Sequence, residues 1–507
     1  MSPVLRLENI TKRFGGFAAN DDITLELARG EVVALLGENG AGKTTLMNIL
    51  FGHYVPDEGR VFVEGAEIAH GRPRAAIAAG VGMVHQHFTL APNLTVLENV
   101  MTGTQSLLAL RSGTGAARAR LKDLSERFGL VVDPDVRVSE LSVGEQQRVE
   151  ILKALYNDAR ILILDEPTGV LTQPEAERLF NTLRIMASEG LSLIFISHKL
   201  QEVLAAADRV VVLRAGKVVA ERKAAETSKE ELAELMVGRR VARPVREEAA
   251  PGRVILAAEA ISVTVEGARR LADIAFELRE SETLGIIGVS GNGQTALAHL
   301  VSGLLEPDSG TLEIFGERRE RATPRQLVEA GVGRIPEDRH SEGAIGEFAL
   351  WENAVLERVR EKRFSRSGFV RRGEARRFAN GVIDRFDVRG GTADSRTRLL
   401  SGGNMQKLIF GRNLAATPKI LIAAQPTRGL DEGAVAAVHG EILEARRQGA
   451  GVLLISEDLD EVLALADRVQ AIVKGRLSDP VSASKLDARR LGLMMAGEWG
   501  EPAEAAA

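Results

Sequence analysis

At 507 residues, 45% of them hydrophobic and 27% charged, the chain has a globular composition and is too long for one ordinary core. Its net charge of −5 supplies no global field toward nucleic acid or anionic lipid, and the lack of cysteine excludes disulfides, iron–sulfur clusters and Cys-ligated zinc, as suits a reducing compartment. The N-terminus has no apolar core followed by a small-residue cleavage site, so no signal peptide is expected. Apolar runs such as VVALL, ILIL and LSLIFI are far shorter than the ~20 residues that span a bilayer, so any work at a membrane is expected from one side, through partners.

The first strong apolar run, EVVALL (31–36), predicts a buried strand. It leads into Gly37, Glu38, Asn39, Gly40, Ala41, Gly42, Lys43 and Thr44, which fit G-x-x-x-x-G-K-[ST], and then into an apolar helix that opens with Thr45 and Leu46. In that context the glycines let backbone N–H groups turn inward around phosphate oxygens, and the helix N-terminus adds its positive end. Lys43 is placed to reach the β- and γ-phosphates of ATP, and the Thr44 hydroxyl to ligate Mg²⁺. The stretch from about 90 to 155 reads as helical and predicts an inserted helical subdomain. ILILDEP (161–167) predicts a buried strand that delivers two acids at its end, Asp165 for Mg²⁺ and Glu166 to polarise the attacking water. β-branched runs alternate with helix-period segments such as PEAERLFNTLRIMASEG, which argues for a largely parallel α/β sheet flanked by helices.

The chain is then written a second time. GEVVALLGENGAGKTTL answers to SETLGIIGVSGNGQTAL, LSVGEQQR to LSGGNMQK, and ILILDEPTGVLT to ILIAAQPTRGLD. Gly37 to Gly288 and Gln86 to Glu337 are both 251 residues apart; Ser142 to Ser401, Asp165 to Ala424 and His198 to Glu457 are all 259 apart. Two constant offsets across many blocks mean two homologous domains, with eight extra residues in the second between Glu337 and LSGG. The expected division is 1–238 for a competent domain, 239–253 for a linker rich in charge, Pro and Gly, 254–497 for a degenerate domain, and 498–507 for a flexible tail. In the second copy Lys43 becomes Gln294, Gln86 becomes Glu337, Asp165 becomes Ala424, Glu166 becomes Gln425, His198 becomes Glu457 and Phe14 becomes Val265. No hydrolysis is expected there, although Thr295 and the glycines leave weak nucleotide binding open.

LSVGEQQ and LSGGNMQ resemble the ABC signature, and with Gln86 in the Q-loop position and His198 in the switch-histidine position the whole chain is similar to tandem ABC ATPases. The resemblance implies two P-loop ABC domains, each a mainly parallel sheet with an inserted helical subdomain. It implies that Gln86 also serves Mg²⁺, that His198 contacts the γ-phosphate, and that Phe14 stacks on adenine, where Phe14 is otherwise a core or edge aromatic. ABC domains work head to tail. The intact P-loop is therefore expected to be completed by Ser401, Gly402, Gly403 and the D-loop Asp431 of a second half, within one chain or between two.

Tandem ABC domains without spanning segments are importer ATPases, ribosome-acting factors or repair ATPases. Zero cysteines exclude the zinc-bearing repair class, and one dead site with a short linker argues against the ribosome class. The asymmetric pair resembles importer ATPases for simple sugars and nucleosides. MVHQHFTLAPNLTVLENV is closer to the nucleoside branch than to the ribose or galactose branch, which tends to carry HQE there. The expected role is ATP hydrolysis at the cytoplasmic face of the cell membrane, on two permease subunits served by a solute-binding lipoprotein. Residues 358–378 carry nine basic residues with Phe364, Phe369 and Phe378 interleaved, a composition that also fits RNA; a solvated or permease-facing surface is the preferred reading, and no nucleic-acid partner is expected.

Overall fold

The computed structural model describes residues 3–499, apart from 86–87, 104–112, 169–170, 172, 198, 239–243, 248–249 and 320–321. Two units are distinguished, with the break between residues 241 and 242. The first runs β1 (Leu5–Phe14), β2 (Phe17–Leu27), β3 (Val32–Leu36), α1 (Lys43–Phe51), β4 (Glu58–Val63), β5 (Ala66–Glu67), α2 (Pro73–Ala78), β6 (Val81–Val84), α3 (Val96–Met101), α4 (Thr114–Phe128), α5 (Val143–Tyr156), β7 (Ile161–Asp165), α6 (Gln173–Ser188), β8 (Ser192–Ile196), α7 (Leu200–Ala206), β9 (Arg209–Arg214), β10 (Lys217–Lys223) and α8 (Lys229–Val237). An antiparallel sheet has the order β2-β1-β4-β5. The main sheet has the order β10-β9-β3-β8-β7-β6, parallel from β9 to β6.

The strands of the parallel sheet are continuous apolar runs because both faces are covered. In β3, Val33 and Leu35 join a core with β1, β2 and α1, whereas Val32, Ala34 and Leu36 join the core under α3–α5. β7 divides the same way: Ile161 and Ile163 face the first core, Leu162 and Leu164 the second. By this alternation Asp165, the last residue of β7, falls on the α1 side. The register of an apolar strand thus aims the acid.

The second unit repeats the plan with β11 (Val254–Val265), β12 (Ala268–Arg279), β13 (Thr283–Ile287), α9 (Gln294–Val301), β14 (Ser309–Ile314), β15 (Glu317–Arg318), α10 (Pro324–Ala330), β16 (Val332–Ile335), α11 (Leu350–Val355), β17 (Ser365–Arg366), β18 (Phe369–Val370), α12 (Arg372–Arg385), α13 (Gly402–Leu414), β19 (Ile420–Ala424), α14 (Glu432–Arg447), β20 (Gly451–Ser456), α15 (Leu459–Leu465), β21 (Arg468–Val473), β22 (Arg476–Leu477), β23 (Val481–Ser482) and α16 (Ala488–Met495). Its main sheet is β16-β19-β20-β13-β21-β22, with β23 also on β21.

The eight extra residues are not one loop. Asn99 and Asn353 make matching hydrogen bonds at an offset of 254, and the turns Leu130 N–H to Ser125 O and Val388 N–H to Ile383 O match at 258. Against 251 before and 259 after, three residues therefore precede α11, four lie between α11 and α12, and one follows α12. The segment holding the first group includes a π-turn, Arg339–Gly343, and the segment holding the second includes the small hairpin β17–β18.

Of the segment expected as linker, the end is tied to the second unit: Arg446 donates to the Glu247 carbonyl at 3.0 Å and Gly252 N–H to the Glu280 carbonyl at 2.9 Å. At the other end, the Trp499 indole donates to the Met494 carbonyl at 2.9 Å; residues 500–507 lie outside the described residues. Among the described residues no helix is long and apolar enough to cross a membrane.

Candidate active site

The loop between β3 and α1 is built from glycines that no other residue replaces cheaply. Gly42 has φ +100°, and a Cβ there would lie 2.1 Å from the Ala19 carbonyl oxygen; a Cβ on Gly37 would lie 2.3 Å from the Leu213 carbonyl oxygen. β2 supports the loop from below: fully buried Asn20 donates Nδ2 to the Gly42 carbonyl at 3.1 Å. Asn20 carries no motif of its own, so its role is not legible in the sequence.

Lys43 opens α1, largely buried, and donates Nζ to the carbonyls of Gly37 at 2.6 Å and Glu38 at 3.0 Å. Burial lowers its ammonium below the usual lysine value, against the opposing pull of the Glu166 and Asp165 carboxylates. Ala41 is buried, Thr45 half-buried, and Asn39, Gly40 and Thr44 exposed. Asp165, 7% exposed, is pushed up from 3.8 to about 6 by burial and by the neighbouring Glu166 charge. A buried acid crowded by a second acid supplies oxygen donors of the kind Mg²⁺ takes, and Thr44, next to Lys43 on α1, adds a hydroxyl oxygen of the same kind. These residues fit that ion.

Glu166 follows in left-handed backbone, φ +48°, with its N–H on the Ile196 carbonyl at 3.0 Å, so the chain turns sharply where the strand ends. Gln147 of α5 donates Nε2 to the Pro167 carbonyl and ties the signature helix to that turn. Phe14, at the end of β1, is half-exposed and meets Tyr54 edge-on at 5.8 Å, with Lys12 over its ring. It is a surface ring rather than a core one. Gln86 and His198 lie outside the described residues.

The two signature helices differ at their N-termini. On α5, Ser142 N–H and Oγ both bond the Glu145 carboxylate, at 2.8 and 2.7 Å. The carboxylate is held below its usual pKa by those bonds and occupies the end of the helix where an anion would bind. On α13, Ser401 is the N-cap and accepts from the Asn404 side chain at 2.9 Å, which leaves its own proton free to donate; Gly402 and Gly403 begin the helix with no acid in its first turn. The S-x-x-E spacing of a capping box was visible in the first signature and would have exposed this difference. Asp431 follows buried Leu430 and precedes α14.

At the second P-loop the main chain is preserved and the chemistry is not. Gly291 and Gly293 keep φ +87° and +116°, beside +85° and +100° for Gly40 and Gly42, and Gln425 keeps φ +47° with its N–H on Ile455 O at 2.8 Å. Ala424, in the place of Asp165, is absorbed into an apolar core with Ile420, Ile422, Ala296 and Leu297. Gln294 turns Nε2 back to the Val289 carbonyl at 3.0 Å. Glu337 pairs with Arg428 at 2.5 Å and accepts from Thr295 at 3.5 Å. The buried acid of the first unit has no counterpart here, and the Glu337 carboxylate is paired with an arginine.

The ABC transporter family model matches residues 20–169 and 271–428, once in each unit. The chain belongs to that family. It is an ATPase of the ABC transporter type, with two P-loop α/β domains. The glucose import ATP-binding protein TsgD13 of Haloferax volcanii is 43% identical across 100% of this chain and 98% of its own length. The guanosine import ATP-binding protein NupO of Bacillus subtilis is 42% identical across 98% of each. In fold this ABC ATPase is also similar to the archaeal ribosome recycling factor aABCE1, with TM-score 0.65 and 18% identity, covering 97% of this chain and 92% of that one.

Proposed function

We propose that this chain is the ATP-hydrolysing subunit of an importer and that it powers uptake of a nucleoside, with hydrolysis confined to the first unit. The observation that carries the reading is the asymmetry between two matching frames: Lys43, Asp165 and Glu166 in one, Gln294, Ala424 and Gln425 in the other. ATP is the substrate. Glycine-loop amides and Lys43 bind its phosphates, Phe14 packs on its base, and Glu166 takes the proton of the attacking water. Thr44, Asp165 and Gln86 would hold Mg²⁺, which when bound neutralises phosphate charge. Gln86 and His198 sense the γ-phosphate end. A second-half signature, Ser401 with Gly402 and Gly403, and Asp431 complete the site, within one chain or between two. The signature helix without a first-turn acid supports that assignment, since phosphate does not compete with a resident carboxylate there.

Two membrane-spanning permease subunits and a solute-binding lipoprotein are the partners in this reading, and the cytoplasmic membrane face is its place. The domains are 1–238, competent, and 254–497, degenerate. NupO supports a nucleoside; the similar identity to TsgD13 supports a simple sugar as the second reading. Deleting the gene and measuring uptake of labelled guanosine, glucose and ribose separates them. Loss of guanosine uptake alone is expected, and loss of sugar uptake alone would overturn the nucleoside reading.

A further inference from the structure

The basic segment 358–378 takes a form that its composition did not reveal. Of its three phenylalanines, Phe364 and Phe378 are buried and meet edge-to-face at 5.3 Å, with the Arg363 guanidinium over both rings. They are the anchor, not a stacking platform. The chain between them projects as the hairpin β17–β18, closed by a turn with Ser367 and Gly368 at φ +51° and +83°. Arg371 N–H on the Phe364 carbonyl at 2.8 Å clamps its base.

At the tip Phe369 is 81% exposed, beside half-exposed Val370 and directly across the ladder from Arg366. Arg358, Arg371, Arg376 and Arg377 are paired with Glu361, Glu374 and Asp394. Arg360, Lys362, Arg366 and Arg372 are exposed and have no acidic partner among the described residues. A lone exposed aromatic needs no partner. A hairpin that carries exposed Phe369, Val370 and Arg366, with Arg360, Lys362 and Arg372 exposed in the chain on either side of it, matches a surface offering apolar boundary and fixed negative charge together, which is the anionic bilayer interface. Nucleic acid would need stacking faces, and two of the three rings are spent in the core.

We propose that the β17–β18 hairpin is a membrane-surface contact, in which Phe369 enters the headgroup boundary of an anionic bilayer and Arg360, Lys362, Arg366 and Arg372 meet lipid phosphates. The test is flotation of the full chain with phosphatidylcholine vesicles, with and without phosphatidylglycerol, at physiological salt. Binding to the anionic vesicles is expected, weakened roughly fivefold for each cation removed in Arg366→Gln and Arg372→Gln, and about tenfold in Phe369→Ser. Mg-ATP binding by each variant, unchanged, shows that the fold is kept and that the ATPase reading stands apart from this one. Equal binding to neutral vesicles, no binding, indifference to these substitutions, or tRNA displacing the vesicles would each overturn the proposal.

Discussion

Asp165→Asn should make the nucleotide-free protein more stable while removing its function. The carboxyl is held near 6 instead of the ordinary 3.8. Between those values the folded chain binds a proton that the unfolded chain does not, so stability falls as pH rises through that window and the penalty is complete above it. Ionised at neutral pH, Asp165 therefore costs the fold about 3 kcal/mol. Asparagine keeps the shape and loses the charge, at some cost for a buried amide, so a net gain of about 1–3 kcal/mol is expected. At pH 5 roughly half of the penalty has gone, and the advantage of the variant should shrink accordingly. Scanning calorimetry of both proteins at pH 8 and pH 5, without nucleotide or metal, measures this. Saturating Mg-ATP should raise the wild-type midpoint and leave the variant nearly unmoved. An Asp165→Asn protein less stable than wild type at pH 8, or an advantage independent of pH, would refute the reasoning.

Glu166→Gln is expected to abolish turnover and leave ATP binding intact, whereas Gln425→Glu should restore no activity, because Ala424 and Gln294 still offer neither acid nor cation; ATPase and nucleotide-binding assays of the two variants check this. Ser401→Arg should cut permease-stimulated ATPase severely and Ser142→Arg much less, measured side by side in reconstituted transporter. The reverse order would mean that each half hydrolyses ATP with its own signature.

The P-loop, the acid-bearing strand and the duplication were legible because each is a short contiguous pattern with a physical cause: glycines at a tight turn, apolar alternation ending in Asp-Glu, a constant offset. What escaped was set by contacts between distant segments. Asn20 reads as an ordinary polar residue of a β-strand, and only the approach of β2 to Gly42 gives it a role. Spacing revealed eight added residues but not their split into three places. The interleaved phenylalanines looked alike in sequence, and only burial separates Phe364 and Phe378 from Phe369. The absorption of Ala424 into the core followed from strand register, which the first copy already displayed.

The left-handed turn at Glu166 recurs at Gln425 within one degree of φ, although Gln425 carries a carboxamide where Glu166 carries an acid. In both units the same backbone bond to the neighbouring strand holds it. That bend is therefore part of the sheet's architecture, and the Glu166 carboxylate is a passenger on it. A duplicated half can surrender its acids without being dismantled, and a carboxamide at the corresponding position of the working half enters a mould that this same chain already fills with glutamine.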